Sequence, residues 1–125
     1  MVGLRQVAQH VDDLDRATAF YRDVVGLPFI ARFDPPGLVF FDLGGTRLLL
    51  ETGAPSAILY LEVDDIDATV RALREKDVEV LDDPHCIHVD ADGTFGPAGN
   101  EEWIAFFRDS ESNLVGLVQS RPPAA

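Results

Sequence analysis

The strongest constraint on the fold is a short run that occurs twice: Val11-Asp12-Asp13-Leu14-Asp15 and, 52 positions later, Val63-Asp64-Asp65-Ile66-Asp67. Each run closes an extended apolar stretch and opens a segment with helical spacing, so each marks a strand-to-helix junction of the same kind. An aspartate at such a junction accepts hydrogen bonds from the free backbone N–H groups of the first turn. A second one just inside the helix interacts favourably with the helix dipole. The chain therefore reads as one motif used twice.

In the first copy, residues 4–11 read as a strand. A period of two puts Gln6, Ala8 and His10 on one face and Val7, Gln9 and Val11 on the other, where Gln9 is out of place in a core. A helix over 14–24 follows, striped by Leu14, Ala17, Phe20, Tyr21 and Val24, and Gly26 suits a left-handed end. Residues 29–33 form a short strand, stopped by Asp34-Pro35-Pro36-Gly37. Residues 38–43 and 46–51 then form a hairpin around Gly44-Gly45, a two-residue loop suited to a primed turn. That loop fixes the register. Leu43 faces Thr46, Asp42 faces Arg47, Phe40 faces Leu49 and Leu38 faces Glu51, the last three pairs sharing one face.

After a linker over 52–56 the motif restarts. Residues 57–63 are a strand with Ile58, Tyr60 and Glu62 on one face, and Ile66, Val70 and Leu73 stripe a helix to Glu75. A strand over 78–81, a turn over 82–84 and an extended piece over 86–89 lead to a loop over 90–100, expected to be mobile because it holds Gly93, Gly96, Pro97 and Gly99. Residues 103–108 and 114–119 form the last hairpin, and 120–125 are a tail. The fold class is α+β, one domain over 1–125 built from two βαβββ modules, 4–51 and 57–119. One three-turn helix covers one face of a four-stranded sheet. The two uncovered faces are therefore expected to curve around a cleft as a mixed sheet, with a small-molecule site inside it. Phe40, Ile58, Tyr60, His88, Trp103 and Phe106 are the residues expected to line it.

The formal charge of −12 and pI near 4.3 argue against nucleic-acid or anionic-membrane partners, which such a surface repels. Nothing approaches the roughly 20 apolar residues of a membrane span, and no charged-then-apolar leader opens the chain. Together with the lone cysteine, Cys86, this gives a cytoplasmic expectation.

Val11-Asp12-Asp13-Leu14-Asp15-Arg16-Ala17, Phe20-Tyr21-Arg22-Asp23 and Gly26-Leu27 resemble the first strand and helix of the vicinal oxygen chelate superfamily. Val63-Asp64-Asp65-Ile66, and Phe106-Phe107-Arg108-Asp109 with Asn113-Leu114, extend the resemblance over residues 4–119. That superfamily includes glyoxalase I, methylmalonyl-CoA epimerase, extradiol dioxygenases, and bleomycin- and fosfomycin-resistance proteins. The resemblance implies a glyoxalase-like fold, commonly a homodimer, with one metal ligand on each of four strands. By position these fall at Gln6, Glu51, Ile58 and Gly116, of which the last two cannot bind a metal. His85 or His88 then reads either as a substitute ligand or as a residue of the cleft rim, while His10, beside two aspartates, reads as making a local hydrogen bond.

Two functions follow, beside a third possibility of a structural or regulatory domain with a residual pocket. One is a glyoxalase-like lyase or isomerase acting on a carbonyl-containing substrate, with Glu51 as general base and an incomplete divalent site (zinc, nickel, manganese or iron) drawn from Gln6, Glu51 and His85. The other is a metal-free protein that sequesters a ligand in the manner of bleomycin-resistance proteins. Glu51 also reads as an ion-pair partner of Arg47 or Arg5.

Overall fold

The computed structural model describes residues 3–123. The chain divides into two compact units: one runs to Ile58 and takes in Asp109–Asn113, and the other comprises Leu59–Arg108 and the chain from Leu114 on. Each contains a four-stranded mixed sheet with one helical segment, an α+β architecture.

In the first unit the strands are β1 (Gln6–His10), β2 (Phe29–Phe33), β3 (Leu38–Leu43) and β4 (Thr46–Glu51), in the order β1-β4-β3-β2. The pairing of β1 with β4 is parallel, and both others are antiparallel. The helix over 14–24 is two structures in series, an α-helix, α1 (Leu14–Ala19), and a π-helical stretch (Phe20–Val25). Asp13 is its N-cap, accepting the Arg16 N–H at 3.0 Å, and Gly26 ends it at φ 83°. Val11, Ala17, Tyr21, Val39, Phe41, Leu48 and Leu50 are fully buried between helix and sheet. Side chains two apart in a strand share a face, so the other face carries Gln6, Ala8 and His10, Arg47, Leu49 and Glu51, and Leu38, Phe40 and Asp42. The Gly44-Gly45 turn has both φ values positive (66° and 100°), and the register is the expected one, Leu43 with Thr46 and Phe40 with Leu49.

In the second unit the strands are β5 (Leu59–Glu62), β6 (His85–Asp90), β7 (Asn100–Arg108) and β8 (Leu114–Arg121), in the order β5-β8-β7-β6. The helix α2 (Ile66–Glu75) is capped by Asp65 and buries Ile66, Val70 and Leu73. Its first N–H, at Ile66, bonds to Gln119 Oε1 at 2.9 Å, and Arg121 pairs with Asp67 at 2.6 Å. Odd-numbered residues of β7 and β8 therefore face α2, and even-numbered ones form the open face.

Two local expectations change, and the loop after β6 gains a definite construction. Residues 78–81 make a single bridge, Val80 with Phe107, and the Phe106 N–H that would extend it to Leu81 is taken by Asp82 Oδ1 at 3.1 Å. The supposed tail begins inside β8, since the Arg121 guanidinium stacks 4.3 Å from the Trp103 ring. Ala124 and Ala125 lie outside the described residues. The loop after β6 is built around one carboxylate. Asp90, nearly buried, accepts the N–H groups of Thr94, Phe95 and Gly96 at 2.8–3.1 Å, while its carbonyl accepts those of Gly93 and Gly99. Among the described residues no helix is long and apolar enough to cross a membrane.

Candidate functional site

The open face of the first sheet places Gln6 against Arg47 and His10 against Glu51, as parallel-strand partners. Gln6 and Glu51 are thus four positions apart along the strands, about 13 Å at 3.3 Å per residue. Gln6 Oε1 accepts from Arg47 Nε at 3.1 Å. The Glu51 carboxylate lies over Gly53, where an added Cβ would meet Oε1 at 3.5 Å. Beside it, the His10 ring bonds through Nε2 to Asp12 at 2.9 Å. The His10 pKa is raised, chiefly by that bond to the Asp12 carboxylate, with the Ala54 and Thr52 carbonyls adding to it. The local bond expected of His10 is present, and it stands next to Glu51, an adjacency that alternation within one strand could not reveal.

The pairing also compares the two modules. With the copies aligned on Val11 and Val63, Ala8 corresponds to Tyr60. Ala8 pairs with Leu49 and Tyr60 pairs with Gly116. The first-module counterpart of Gly116 is therefore Leu49, not Glu51. The four corresponding positions hold Gln6, Leu49, Ile58 and Gly116, and only the first can donate to a metal. Among the described residues no group of three His, Cys, Asp or Glu side chains converges on a metal-sized site. Gln6 and Glu51 are too far apart along their strands to share one ion. His85 lies in the other unit, with Nδ1 3.0 Å from Asp83 O and 3.4 Å from Asp82 Oδ2. Gln6 and Glu51 by themselves therefore do not fit a zinc, nickel, manganese or iron centre.

On the second sheet, Tyr60 lies across Gly116. A Cβ added to Gly116 would come within 2.8 Å of Tyr60 Cδ1 and 3.2 Å of Phe106 Cε1, and the two rings meet edge to face with centroids 6.0 Å apart. Tyr60 is 57% exposed and Ile58, directly before β5, 51%. His85 pairs with Ile104 and His88 with Glu102, because a bulge between Cys86 and His88 absorbs one residue. Strict alternation puts these histidines on opposite faces. The bulge registers both against open-face residues. His88 packs edge-on to Phe95 at 6.2 Å, and Phe95 is 80% exposed at the loop tip. Trp103 was expected with Phe106 but lies on the α2 face, under Arg121, with Nε1 donating to Glu101 at 3.0 Å. Phe40 remains on the first sheet's open face, with the Arg47 guanidinium 5.8 Å above its ring.

The motif residues at 109–113 hold structure together. Glu111, its side chain fully buried, accepts the backbone N–H groups of Asp12 and Asp13 at 2.8 Å and both an Nε and an Nη2 bond from Arg16. Burial opposes its ionisation, yet Arg16 and those N–H groups hold its pKa down at about 2. Tyr21 donates to Asp109 Oδ2 at 2.6 Å, and Asn113 Nδ2 donates to His10 O at 2.8 Å. Burial, followed by the Asp109 charge, raises the Tyr21 pKa beyond its ordinary range.

Two repeated modules, each a four-stranded mixed sheet with one helix-covered and one open face, define an α+β protein of the glyoxalase type. Residues 3–115 match the Glyoxalase/Bleomycin resistance protein/Dioxygenase superfamily, and the chain belongs to it. It is similar to TnmS3, an antibiotic binding protein from Streptomyces sp. CB03234, at 25% identity over 96% of this chain and 97% of that one, with a TM-score of 0.75. It is also similar to lactoylglutathione lyase from Agrobacterium tumefaciens, at 26% identity over 95% and 94% of the two chains, TM-score 0.68. Mouse mitochondrial methylmalonyl-CoA epimerase is 34% identical over 64% of this chain and 56% of its own length.

Proposed function

We propose that this protein binds and sequesters a small organic ligand on the open faces of its sheets, through aromatic and apolar surface and without a resident metal. One observation carries the reading: the parallel pairs match Leu49 with Gly116 and the repeat matches Gln6 with Ile58, so that of these four positions only Gln6 holds a donor, and a weak one. Similarity to an antibiotic binding protein over nearly the whole of both chains supports it. A homodimer in the cytoplasm belongs to the same reading, supported by an exposed, unpaired Cys86 and exposed apolar residues on two outer strands.

The test is metal analysis of protein purified without a histidine tag, then titration with zinc, nickel, manganese and iron, then a thermal-shift comparison of cationic antibiotics with 2-oxo compounds. Metal well below one per chain and stabilisation by antibiotics alone are expected. One metal per chain, lost in Glu51→Ala or Gln6→Ala, would overturn the proposal.

A second reading is favoured by the placement of Glu51 beside His10 on an open face. Here Glu51 takes a proton from carbon next to a substrate carbonyl, as a lyase or isomerase would require. Turnover of a 2-oxo compound that Glu51→Gln abolishes while the protein stays folded would establish it.

A further inference from the structure

The open face of the second sheet is ordered in rows, each crossing β8 and β7 and in places β5 or β6. Leu114 and Arg108 make one row. Tyr60, Gly116 and Phe106 make the next, then Glu62, Val118, Ile104 and His85, then Ser120, Glu102 and His88. Successive rows are two residues apart, about 7 Å. An aromatic row is thus flanked on one side by two rows that each carry a carboxylate. Glu62 and Glu102 take part in none of the ion pairs found among the described residues. Arg108, on the opposite flank, already has an interaction of its own.

We propose that Tyr60, Gly116 and Phe106 form a seat for a planar aromatic cation, its ring over the aromatic row and its positive group directed toward Glu62 and Glu102. The chemistry is that of the row order. A π-face attracts a flat ring or a cation, and unpaired carboxylates one and two rows away complement positive charge. The −12 charge of the chain adds a field of the same sign. Gly116 determines the specificity, because any side chain there would occupy the space the Tyr60 ring fills. A glycine at this point exchanges a side-chain donor for an aromatic floor.

This inference rests on the ligand-binding reading and goes beyond it by naming a site and a ligand class. The full-length protein is titrated at neutral pH and low salt with 9-aminoacridine, a planar cation, followed by fluorescence. Acridine-9-carboxylate supplies the planar anion and 1-aminoadamantane the non-planar cation. The seat predicts binding of 9-aminoacridine at least tenfold tighter than of either comparison compound. Tyr60→Phe should stay within about twofold, Tyr60→Ala should lose about tenfold, and Glu62→Gln should lose several-fold with a flatter salt dependence. Gly116→Val should lose binding. The double variant Tyr60→Ala/Gly116→Val relieves the clash, so its unchanged melting temperature with binding still lost separates a blocked seat from a failed fold. Equal binding of the carboxylate, or full binding by Tyr60→Ala, overturns the seat. A compound from the antibiotic screen that binds the natural chain and the double variant alike, when 9-aminoacridine binds neither, leaves ligand binding standing and the seat refuted. Failure of the natural chain to bind any antibiotic or acridine refutes both.

Discussion

Glu111 and Gln9 are both buried polar side chains of the first unit, and they should respond to substitution in opposite directions. Glu111 satisfies two backbone N–H groups at the entry to α1 and a bidentate guanidinium. Glu111→Gln keeps the shape and removes the buried charge that faces Arg16 and the two N–H groups, and should cost about 2 kcal/mol in urea unfolding at neutral pH. The pH dependence has a definite sign. The Glu111 pKa is about 2 in the folded chain against an ordinary 4.5, so the unfolded chain binds the proton first. Its contribution is complete above about pH 5 and is lost as the pH falls from 4.5 toward 2. The variant should therefore show a shallower loss of stability on acidification than the natural chain. Gln9 is fully buried and, although its amide approaches the Tyr21 hydroxyl, neither polar atom completes a hydrogen bond. Gln9→Met replaces an uncompensated amide with a side chain of similar length and should raise stability by about 1 kcal/mol. A loss of stability in that variant would mean the amide is satisfied in solution.

At the scale of elements, the loop after β6 depends on Asp90. Its pKa is lowered, with the Phe95 N–H the largest cause and the Thr94 and Gly96 N–H groups acting in the same sense. Asp90→Ala should speed amide hydrogen exchange at residues 94–96 more than tenfold while leaving the β7 amides unchanged. In the natural chain the same amides should lose protection as the pH falls through the carboxylate range. No composition rule reveals such a cage, because glycine, proline and threonine in one segment read only as a loop. The hairpin of β3 and β4 was legible for the opposite reason: a two-residue Gly-Gly loop permits essentially one register. The bulge at 86–88 leaves no side-chain signature, so counting by twos assigned His85 and His88 to different faces. Trp103 and Phe106 are separable by position, since residues three apart in a strand point opposite ways, whereas aromatic character alone groups them. Leu49 could not be matched to Gly116 from spacing, because the loops of the two modules differ in length and only the parallel pairs β1–β4 and β5–β8 align them.

At the scale of the whole molecule, charge and apolar surface act against each other. Phe29, Ile30 and Phe33 on β2 and Ile87 and Val89 on β6 are exposed, and both strands stand at the outer edge of their sheets. Exposed edges of this kind promote association, yet each carries a bulge, between Phe29 and Ala31 and between Cys86 and His88, which bends the strand and discourages open-ended pairing. A charge of −12 on every copy opposes contact further. If the proposed homodimer forms through these apolar strands, its assembly works against long-range repulsion that salt screens. The screening length shortens from about 30 Å at 0.01 M to about 10 Å at 0.1 M ionic strength. Light scattering coupled to size exclusion should then show dimer increasing with salt over that range, and Ile87→Lys or Phe33→Lys should return the corresponding interface to monomer. Association that weakens as salt is added would assign the contact to ion pairs between copies and remove the apolar edges from it.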